Sequence, residues 1–195
     1  MSVTAIVLAG GRGSRMGGTD KGLVLLHDKP LVAHVLERLK SQVDKILINA
    51  NREISAYASL GYTVLADEIP DFAGPLAGFA LGLKHAQSEY LLTVPCDCPL
   101  LPLNLREQLE KVLMQTHADI AIATSHGSDH PVVCLCKTSL LSNLERYLAQ
   151  GGRKVSEWQK SLHHVYVDFS DMPDAFININ TPQDLKQLKT KQQHG

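Results

Sequence analysis

Residues 8–23 read LAGGRGSRMGGTDKGL and follow directly on a short apolar run, Ala5–Val7. The stretch combines closely spaced glycines with an excess of cations, namely Arg12, Arg15 and Lys21. Glycines let backbone N–H groups approach a ligand closely, and the cations add positive charge. A loop of this kind behind a buried strand is therefore typical of an oligophosphate site, with a flexible glycine turn and solvated cations as the alternative.

Two common phosphate-binding templates do not fit this loop. A dinucleotide-binding fingerprint that starts at Gly11 and Gly13 would need its third glycine where Met16 stands. A P-loop needs a glycine directly before its lysine, but Lys21 follows Asp20. The loop therefore excludes an ordinary Rossmann dehydrogenase and a P-loop NTPase.

Short apolar runs alternate with segments of helical period along the chain. The candidate strands are Ala5–Leu8, Lys45–Asn49, Tyr62–Ala66, Tyr90–Val94, Ile120–Thr124, Val132–Cys136, His164–Val167 and Ala175–Ile179. Amphipathic stripes predict helices near residues 31–39, 105–113 and 140–148. This alternation predicts an α/β fold with a mostly parallel, Rossmann-like sheet covered by helices on both faces. No repeat or linker interrupts residues 1–195, so we expect a single domain with a frayed polar tail at 189–195.

Composition limits the classes of partner. The chain has 195 residues, of which 44% are hydrophobic and 20% charged, and its net charge is −1. No global field therefore attracts nucleic acid or an anionic membrane. No apolar stretch approaches the roughly 20 residues that span a bilayer, and the first residues carry no basic leader. We expect a cytoplasmic protein with no nucleic-acid or membrane partner.

The cysteines form two C-x-C pairs, Cys96 with Cys98 and Cys134 with Cys136. Two pairs could suggest a zinc site with four thiolates, although structural zinc sites usually have C-x-x-C spacing. Both pairs lie in or beside apolar runs. We therefore interpret them as buried, reduced thiols.

Polar residues follow the predicted strands at the edge where open α/β sheets bind ligands. Asn49 and Asn51 follow the second strand and could hold a ribose or a base, or simply cap a turn. Asp67 follows the third strand, before a second glycine loop at residues 74–78. Asp97 follows the fourth strand between prolines, where it could hold Mg²⁺ on a triphosphate or cap a helix. Together with the opening loop, these residues predict a nucleoside triphosphate site.

Several motifs occur in a recognisable order. They are LAGG with a downstream RMG and lysine (8–21, with one extra residue before the lysine), NANR (49–52), GPLAG (74–78), PCDCP (95–99) and NINTP (178–182). Together they resemble the molybdenum cofactor guanylyltransferase family, and the likeness extends from Ile6 to Leu185. The resemblance implies a fold of the nucleotide-diphospho-sugar-transferase type.

The resemblance also implies an activity. A family member transfers GMP from GTP to the terminal phosphate of molybdopterin and releases pyrophosphate. The catalytic residues would be Asp97, Lys21 and Arg15, with Asp97 as the ligand of Mg²⁺. The implied nucleotide-binding residues are Leu8, Ala9, Gly10, Gly11, Lys21, Asn49, Asp67 and Asp97.

The pterin side is less clearly marked. Arg153 lies on a glycine turn that could bind an anion or end a helix. Asn178 and Asn180 match a family segment that faces the pterin, although the TPQD sequence that follows is also a helix start. His130 could contact substrate or serve a structural role in its turn. These four residues are the candidates for binding the second substrate.

Two other functions remain open. The chain could be a cytidylyltransferase that acts on the same pterin or on a sugar or polyol phosphate, because guanine preference follows from the resemblance alone. It could also be a nucleotide-binding protein that delivers cofactor without catalysis. Apo-molybdoenzymes or their chaperones are the further partners that the resemblance suggests.

Overall fold

A central sheet organises the part of the chain that the structure, a computed structural model, describes: residues 1–10, 15–16, 19–67 and 74–193, with 15, 16, 192 and 193 described at the backbone only. Its strands are β1 Val3–Leu8, β2 Lys45–Asn49, β3 Thr63–Leu65, β4 Tyr90–Pro95, β5 Ile120–Ser125, β6 Ser128–Lys137 and β7 His164–Asp168. Their spatial order is β7-β5-β6-β4-β1-β2-β3.

The register of the parallel strands aligns their carboxyl ends. Leu8 of β1 lies opposite Asn49 of β2 and Pro95 of β4, and Asn49 lies opposite Leu65 of β3. β7 runs parallel to β5, whereas β6 runs antiparallel to both β4 and β5. The mostly parallel sheet predicted from the sequence is therefore confirmed, and four neighbouring strands end along one edge.

The helices cover both faces of this sheet. They are α1 Leu31–Leu39, α2 Ile54–Ala58, α3 Pro75–His85, α4 Leu105–Thr116, α5 Leu141–Ala149, α6 Val155–Lys160 and α7 Pro182–Gln193. Ala5 and Val7 of β1 pack in one core cluster with α1, α2 and α4. Ile6 points to the other face and packs with α3, α5 and α6. This alternation confirms a sheet buried on both sides.

The amphipathic stripes are confirmed as the buried faces of three helices. The buried residues are Leu31, Val32, Val35, Leu36 and Leu39 in α1, Leu105, Leu109 and Leu113 in α4, and Leu144 and Leu148 in α5. The last helix, α7, continues to Gln193 and so includes the first part of the segment for which we expected fraying. Among the described residues, no helix is both long enough and apolar enough to cross a membrane.

One predicted strand is wrong. Residues 175–179 form a turn followed by irregular backbone instead of a strand, and Ala175 donates its N–H to the carbonyl of Met172 only three residues earlier. Ala175, Phe176 and Ile179 are nevertheless buried. The apolar run therefore reflects packing of an irregular segment against the core, which alternation in a sequence cannot distinguish from strand pairing.

Leu92, at the centre of β4 and fully buried, tests this description of the core. Leu92→Ala should lower the free energy of unfolding by about 2–5 kcal/mol, because it removes buried methyl groups and leaves a cavity. Urea unfolding followed by circular dichroism measures the change. Leu103→Ala is the matched control, since Leu103 is 62% exposed and should change stability little. Equal losses in the two variants would contradict the assignment of the core.

Candidate active site

A cavity of about 300 Å³ opens at the aligned strand ends. The residues that line it are Leu8, Ala9, Gly10, Lys21, Asn49, Gly74, Pro75, Pro95, Cys96, Asp97 and Val132. The predicted strand-end residues that form this lining come from β1, β2 and β4 and from the loops that follow them. Residues that are far apart in the sequence therefore share one concave surface at the edge where α/β sheets bind ligands.

The backbone after β1 is held close to its neighbours. Ala9 donates its N–H to the carbonyl of Asn49 at 2.8 Å, and Cys96 donates its N–H to the carbonyl of Leu8 at 3.2 Å. A Cβ atom on Gly10 would lie 2.8 Å from Oδ1 of Asn49 and 2.9 Å from Nδ2 of Asn51. A side chain at position 10 would therefore displace these two amides, which favours glycine there. Gly11, also predicted to bind nucleotide, lies outside the described residues.

A network of amides and one carboxylate follows β2 and β3. Asn49 and Asn51 each donate a side-chain N–H to a different carboxylate oxygen of Asp67, at 2.8 and 2.7 Å. Asn51 also donates to the carbonyl of Gly10 at 3.0 Å and accepts the N–H of Asp67 at 2.8 Å. These bonds fix the orientation of Asp67 and place it beside the cavity lining. The resemblance assigned no role to Asn51, and its position two residues beyond Asn49 was the signal available in the sequence.

Lys21 and Asp97 face each other in the cavity. Nζ of Lys21 lies 3.9 Å from Oδ2 of Asp97, and the two side chains are only 19% and 14% exposed. Lys21 also donates to Oδ1 of Asn180 at 2.6 Å. Burial raises the pKa of the Asp97 carboxyl, and the nearby Lys21 ammonium opposes that rise. The pair therefore places an ammonium group, which attracts phosphate, next to a carboxylate, which attracts a metal cation.

The segment that precedes α7 closes over the loop that carries Asp97. The Cys98 thiol donates to Oδ1 of Asn178 at 2.7 Å, and Ile179 donates its N–H to the carbonyl of Asp97 at 3.0 Å. Asn178 and Asn180 were predicted from the resemblance to face the pterin. Asn180 contacts Lys21 of the lining and Asn178 contacts Cys98 next to Asp97, although neither asparagine belongs to the described lining. Their side chains are exposed, and their amide oxygens are bonded to Cys98 and Lys21.

The other predicted site residues lie elsewhere or outside the description. Nε2 of His130 lies 2.7 Å from the Ser125 hydroxyl, its ring packs on Phe176 with centroids 4.5 Å apart, and burial lowers its pKa. Arg153 donates to backbone carbonyls at the end of α5. Neither residue belongs to the described lining of the cavity. The backbone of Arg15 pairs with that of Asp20, and its side chain lies outside the described residues.

The cysteines are all buried and free. Cys96 and Cys98 belong to the core cluster on one face of the sheet, whereas Cys134 and Cys136 belong to the cluster on the other. The two pairs therefore cannot share one zinc ion. Burial raises the pKa of the Cys96 and Cys98 thiols, which keeps them neutral at physiological pH. The geometry agrees with the interpretation as reduced thiols.

Comparison with known proteins connects this cavity to a family. A family model described as the MobA-like NTP transferase domain matches residues 5–165. The chain belongs to this family. Similar curated members include the molybdenum cofactor guanylyltransferases of Polynucleobacter asymbioticus, 48% identical over 192 residues, and Shewanella woodyi, 47% identical over 188 residues. Each alignment covers 96% of this chain and 96% of the relative.

Solved structures agree with the family membership. The molybdopterin-guanine dinucleotide biosynthesis protein A of Archaeoglobus fulgidus superposes with a TM-score of 0.80 at 26% identity and covers 98% of this chain and 100% of its own. The 4-diphosphocytidyl-2C-methyl-D-erythritol synthase of Anaerococcus prevotii has a TM-score of 0.76 at 15% identity, covers 98% of this chain and 96% of its own, and shows the shared fold alone. The expected fold, of the nucleotide-diphospho-sugar-transferase type, is confirmed.

The raised pKa of Asp97 predicts a stability effect. Ionised Asp97 is less favourable in the folded than in the unfolded chain, so stability is lost as the pH rises through the raised pKa. Asp97→Asn removes this cost, and in metal-free buffer at pH 7 the variant should unfold at a higher temperature than the wild type. The difference should narrow as the pH falls and the wild-type carboxyl becomes protonated.

Thermal unfolding followed by circular dichroism at several pH values measures this effect. Asp119→Asn is the matched control, because that carboxylate pairs with Lys137 at 2.8 Å, with both side chains 35% exposed. It should show no stabilisation at pH 7. A melting temperature of Asp97→Asn at or below that of the wild type at pH 7 would contradict the burial argument.

Proposed function

We propose that this chain transfers GMP from GTP to the terminal phosphate of molybdopterin, with release of pyrophosphate and formation of the guanine dinucleotide cofactor. The observation that carries the proposal is the Lys21–Asp97 pair, 3.9 Å apart in a cavity formed by strand ends. The family and the names of its most similar members supply the reaction. A nucleotidyltransferase needs a cation for the triphosphate and a carboxylate for a metal ion at one place, and this cavity has both.

The nucleotide would bind along the strand ends. Backbone N–H groups of the loop that begins at Gly10 would approach the phosphates, and the ammonium group of Lys21 would bind the triphosphate, with Arg15 as a second cation. Asn49 and Asp67, already oriented by their mutual hydrogen bond, would hold the nucleoside.

Asp97 fits a divalent metal ion by its chemistry. It offers carboxylate oxygens, is mostly buried, and lies beside the expected path of the phosphates. We assign the ion as Mg²⁺, which binds typically through one or two carboxylates together with substrate phosphates. When bound, it would offset the negative charge that develops on the triphosphate.

Positioning and charge neutralisation would supply most of the rate. An oxygen of the pterin phosphate attacks the α-phosphorus of GTP, a new P–O bond forms, and the bond to the β-phosphate oxygen breaks as pyrophosphate leaves. The attacking phosphate has a second pKa near 6 and is already largely dianionic at neutral pH. The reaction therefore requires no strong general base from the protein, and Lys21 instead lowers the repulsion between two polyanions.

The pterin would approach from the side of the segment before α7. Asn178 and Asn180 are exposed and contact Cys98, which follows Asp97, and Lys21, which faces it, and these contacts support their assignment to the second substrate. The assignments of Arg153, made from its glycine turn, and of His130 stay predictions, and the contacts of both residues favour structural roles. Apo-molybdoenzymes or their chaperones would receive the product. Free thiols in all four cysteines fit a reducing compartment, and we propose the cytoplasm.

An assay of the purified protein tests the reaction and its base. The protein is mixed with molybdopterin, Mg²⁺ and each of GTP, ATP, CTP and UTP in turn, and pyrophosphate is followed. Pyrophosphate release with GTP in preference to the others is expected. Preference for CTP would establish the cytidylyltransferase alternative, and nucleotide binding without pyrophosphate release would establish the delivery protein.

Asp97→Ala should reduce turnover by about 10³-fold or more, because it removes the carboxylate proposed to hold the metal ion. Steady-state pyrophosphate release measures the loss, and circular dichroism checks that the variant is folded. Asp119→Ala is the matched control, since its carboxylate pairs with Lys137 and lies outside the described lining of the cavity. Near-normal turnover in folded Asp97→Ala would refute the assignment.

Lys21→Ala should weaken GTP binding and slow the reaction, by about 10²–10³-fold in kcat/KM for GTP, because the ammonium group would contact the charged triphosphate. Calorimetry with GTP and Mg²⁺ measures the affinity separately from turnover. Lys137→Ala, which removes the ammonium partner of Asp119, is the control. Kinetics equal to those of the wild type would remove Lys21 from the mechanism.

A further inference from the structure

A buried carboxylate directly precedes Lys21 and takes no part in the mechanism described above. Asp20 is 8% exposed. Its Oδ1 accepts the N–H of Gly22 at 3.2 Å and also the hydroxyl of Tyr57, a fully buried side chain on α2. Burial raises the pKa of the Tyr57 phenol, so the hydroxyl remains a donor. Two polar groups from distant parts of the chain are thus paired beneath the lysine that lines the cavity.

These bonds determine the shape of the turn that carries Lys21. Residues 21–23 form a single 3₁₀ turn, with Asp20 as its N-cap, and Val24 donates its N–H to the carbonyl of Lys21 at 3.2 Å. The Asp20 carboxylate satisfies a backbone donor of this turn that has no partner within it. Lys21 therefore lies between Asp20 and Gly22, two residues that are joined to each other by a hydrogen bond.

The same turn is packed against the loop that carries Asp97. A Cβ atom on Gly22 would lie 2.5 Å from the Tyr57 hydroxyl oxygen and 3.3 Å from Cβ of Cys96. Gly22 therefore lies between α2 and the residue that precedes Asp97, with no space for a side chain. The separation of Lys21 from Asp97 depends on how this turn is seated.

We propose that Asp20 and Tyr57 are positioning residues of guanylyl transfer, whose hydrogen bond seats the Lys21 turn against the Asp97 loop so that both side chains can engage one triphosphate. The inference rests on the proposed function. Apolar packing alone would not need this pair, because burying a carboxylate and a hydroxyl is unfavourable unless they bond each other. Misplacement of a catalytic group by about 1 Å can reduce a rate by about 10²-fold, so a hydrogen bond remote from substrate can be essential to turnover.

A double-mutant cycle tests whether the pair acts through Lys21. Tyr57→Phe retains the ring and removes the hydroxyl, and it should lower kcat/KM for GTP by about tenfold or more. In the Lys21→Ala background the same substitution should have little further effect, because the ammonium group to be positioned is absent. Tyr90→Phe is the matched control, since the Tyr90 hydroxyl contacts the Met114 sulfur and lies at the start of β4, at the opposite end of that strand from Asp97.

Substitution of Asp20 gives an independent test. Asp20→Asn retains an oxygen that can accept both hydrogen bonds and should keep kcat/KM within about threefold of the wild type, whereas Asp20→Ala should lose about tenfold or more. If Tyr57→Phe does not fold, these two variants carry the test. Urea unfolding of every variant separates a loss of stability from a loss of positioning.

Any one of three results would overturn the inference. The first is a wild-type kcat/KM in Tyr57→Phe, and the second is the same fold-loss in kcat/KM from Tyr57→Phe with and without the Lys21 ammonium group. The third is an equal loss of kcat/KM in Asp20→Asn and Asp20→Ala. Failure of the proposed function is distinguishable, because the wild type would then release no pyrophosphate with any nucleotide. In that case the affinity for GTP with Mg²⁺, measured by calorimetry over the same cycle, tests the positioning role without turnover. If Tyr57→Phe and Lys21→Ala reduced the affinity for GTP additively, that result would contradict the positioning role.

Discussion

The parallel hydrogen-bond ladder continues one residue past the ends of its strands, and the site depends on this continuation. Cys96 bonds to Leu8 across from β4 to β1, and Ala9 bonds to Asn49 across from β1 to β2. Ala50 then bonds to the carbonyl of Leu65 at 3.0 Å, across from β2 to β3. Each bond orients the first residues of a loop that would otherwise be free to diverge. The loops therefore begin from fixed positions, and the side chains that follow converge on one cavity.

Charge distribution explains how a nearly neutral protein can bind a polyanion. The overall charge of −1 provides no long-range attraction. Attraction must come from groups whose interactions are strengthened by partial burial, such as Lys21 at 19% exposure. The same burial makes the ionised Asp97 costly, as the raised pKa indicates. In the proposed function, this cost in stability would keep a carboxylate available for the metal ion, a common relation between activity and stability.

Sequence patterns predicted the strand-end residues because buried strands leave strong apolar runs and the following polar residues stand out against them. Asn49 and Asp97 were identified in this way, and Asp67 was placed by the same argument together with the resemblance. The segment 175–179 was predicted wrongly as a strand. Buried positions favour apolar residues whether or not the backbone there is paired in a sheet, so an apolar run alone does not identify a strand.

Interactions between distant residues could not be read from the sequence. Tyr57 is separated from Asp20 by 37 positions and lies on a five-residue helix without an evident chemical motif. The contact of Asn51 with Asp67 depends on the register of β2 and β3, which no local pattern specifies. Arg153 shows the opposite case: its glycine turn looked suitable for an anion, but the guanidinium donates to the carbonyls of Leu148, in the last turn of α5, and Gly152.

The bonds from residues 178–180 back to Lys21, Asp97 and Cys98 have a consequence for biosynthesis. The Lys21–Asn180 contact joins positions 159 residues apart, whereas β1–β4 all lie within the first half of the chain. During translation the early strands can pair while the ribosome is still adding the remainder. Lys21 acquires its amide partner only when synthesis is nearly finished, so a stalled or clipped polypeptide would carry an incomplete site on an otherwise ordered scaffold.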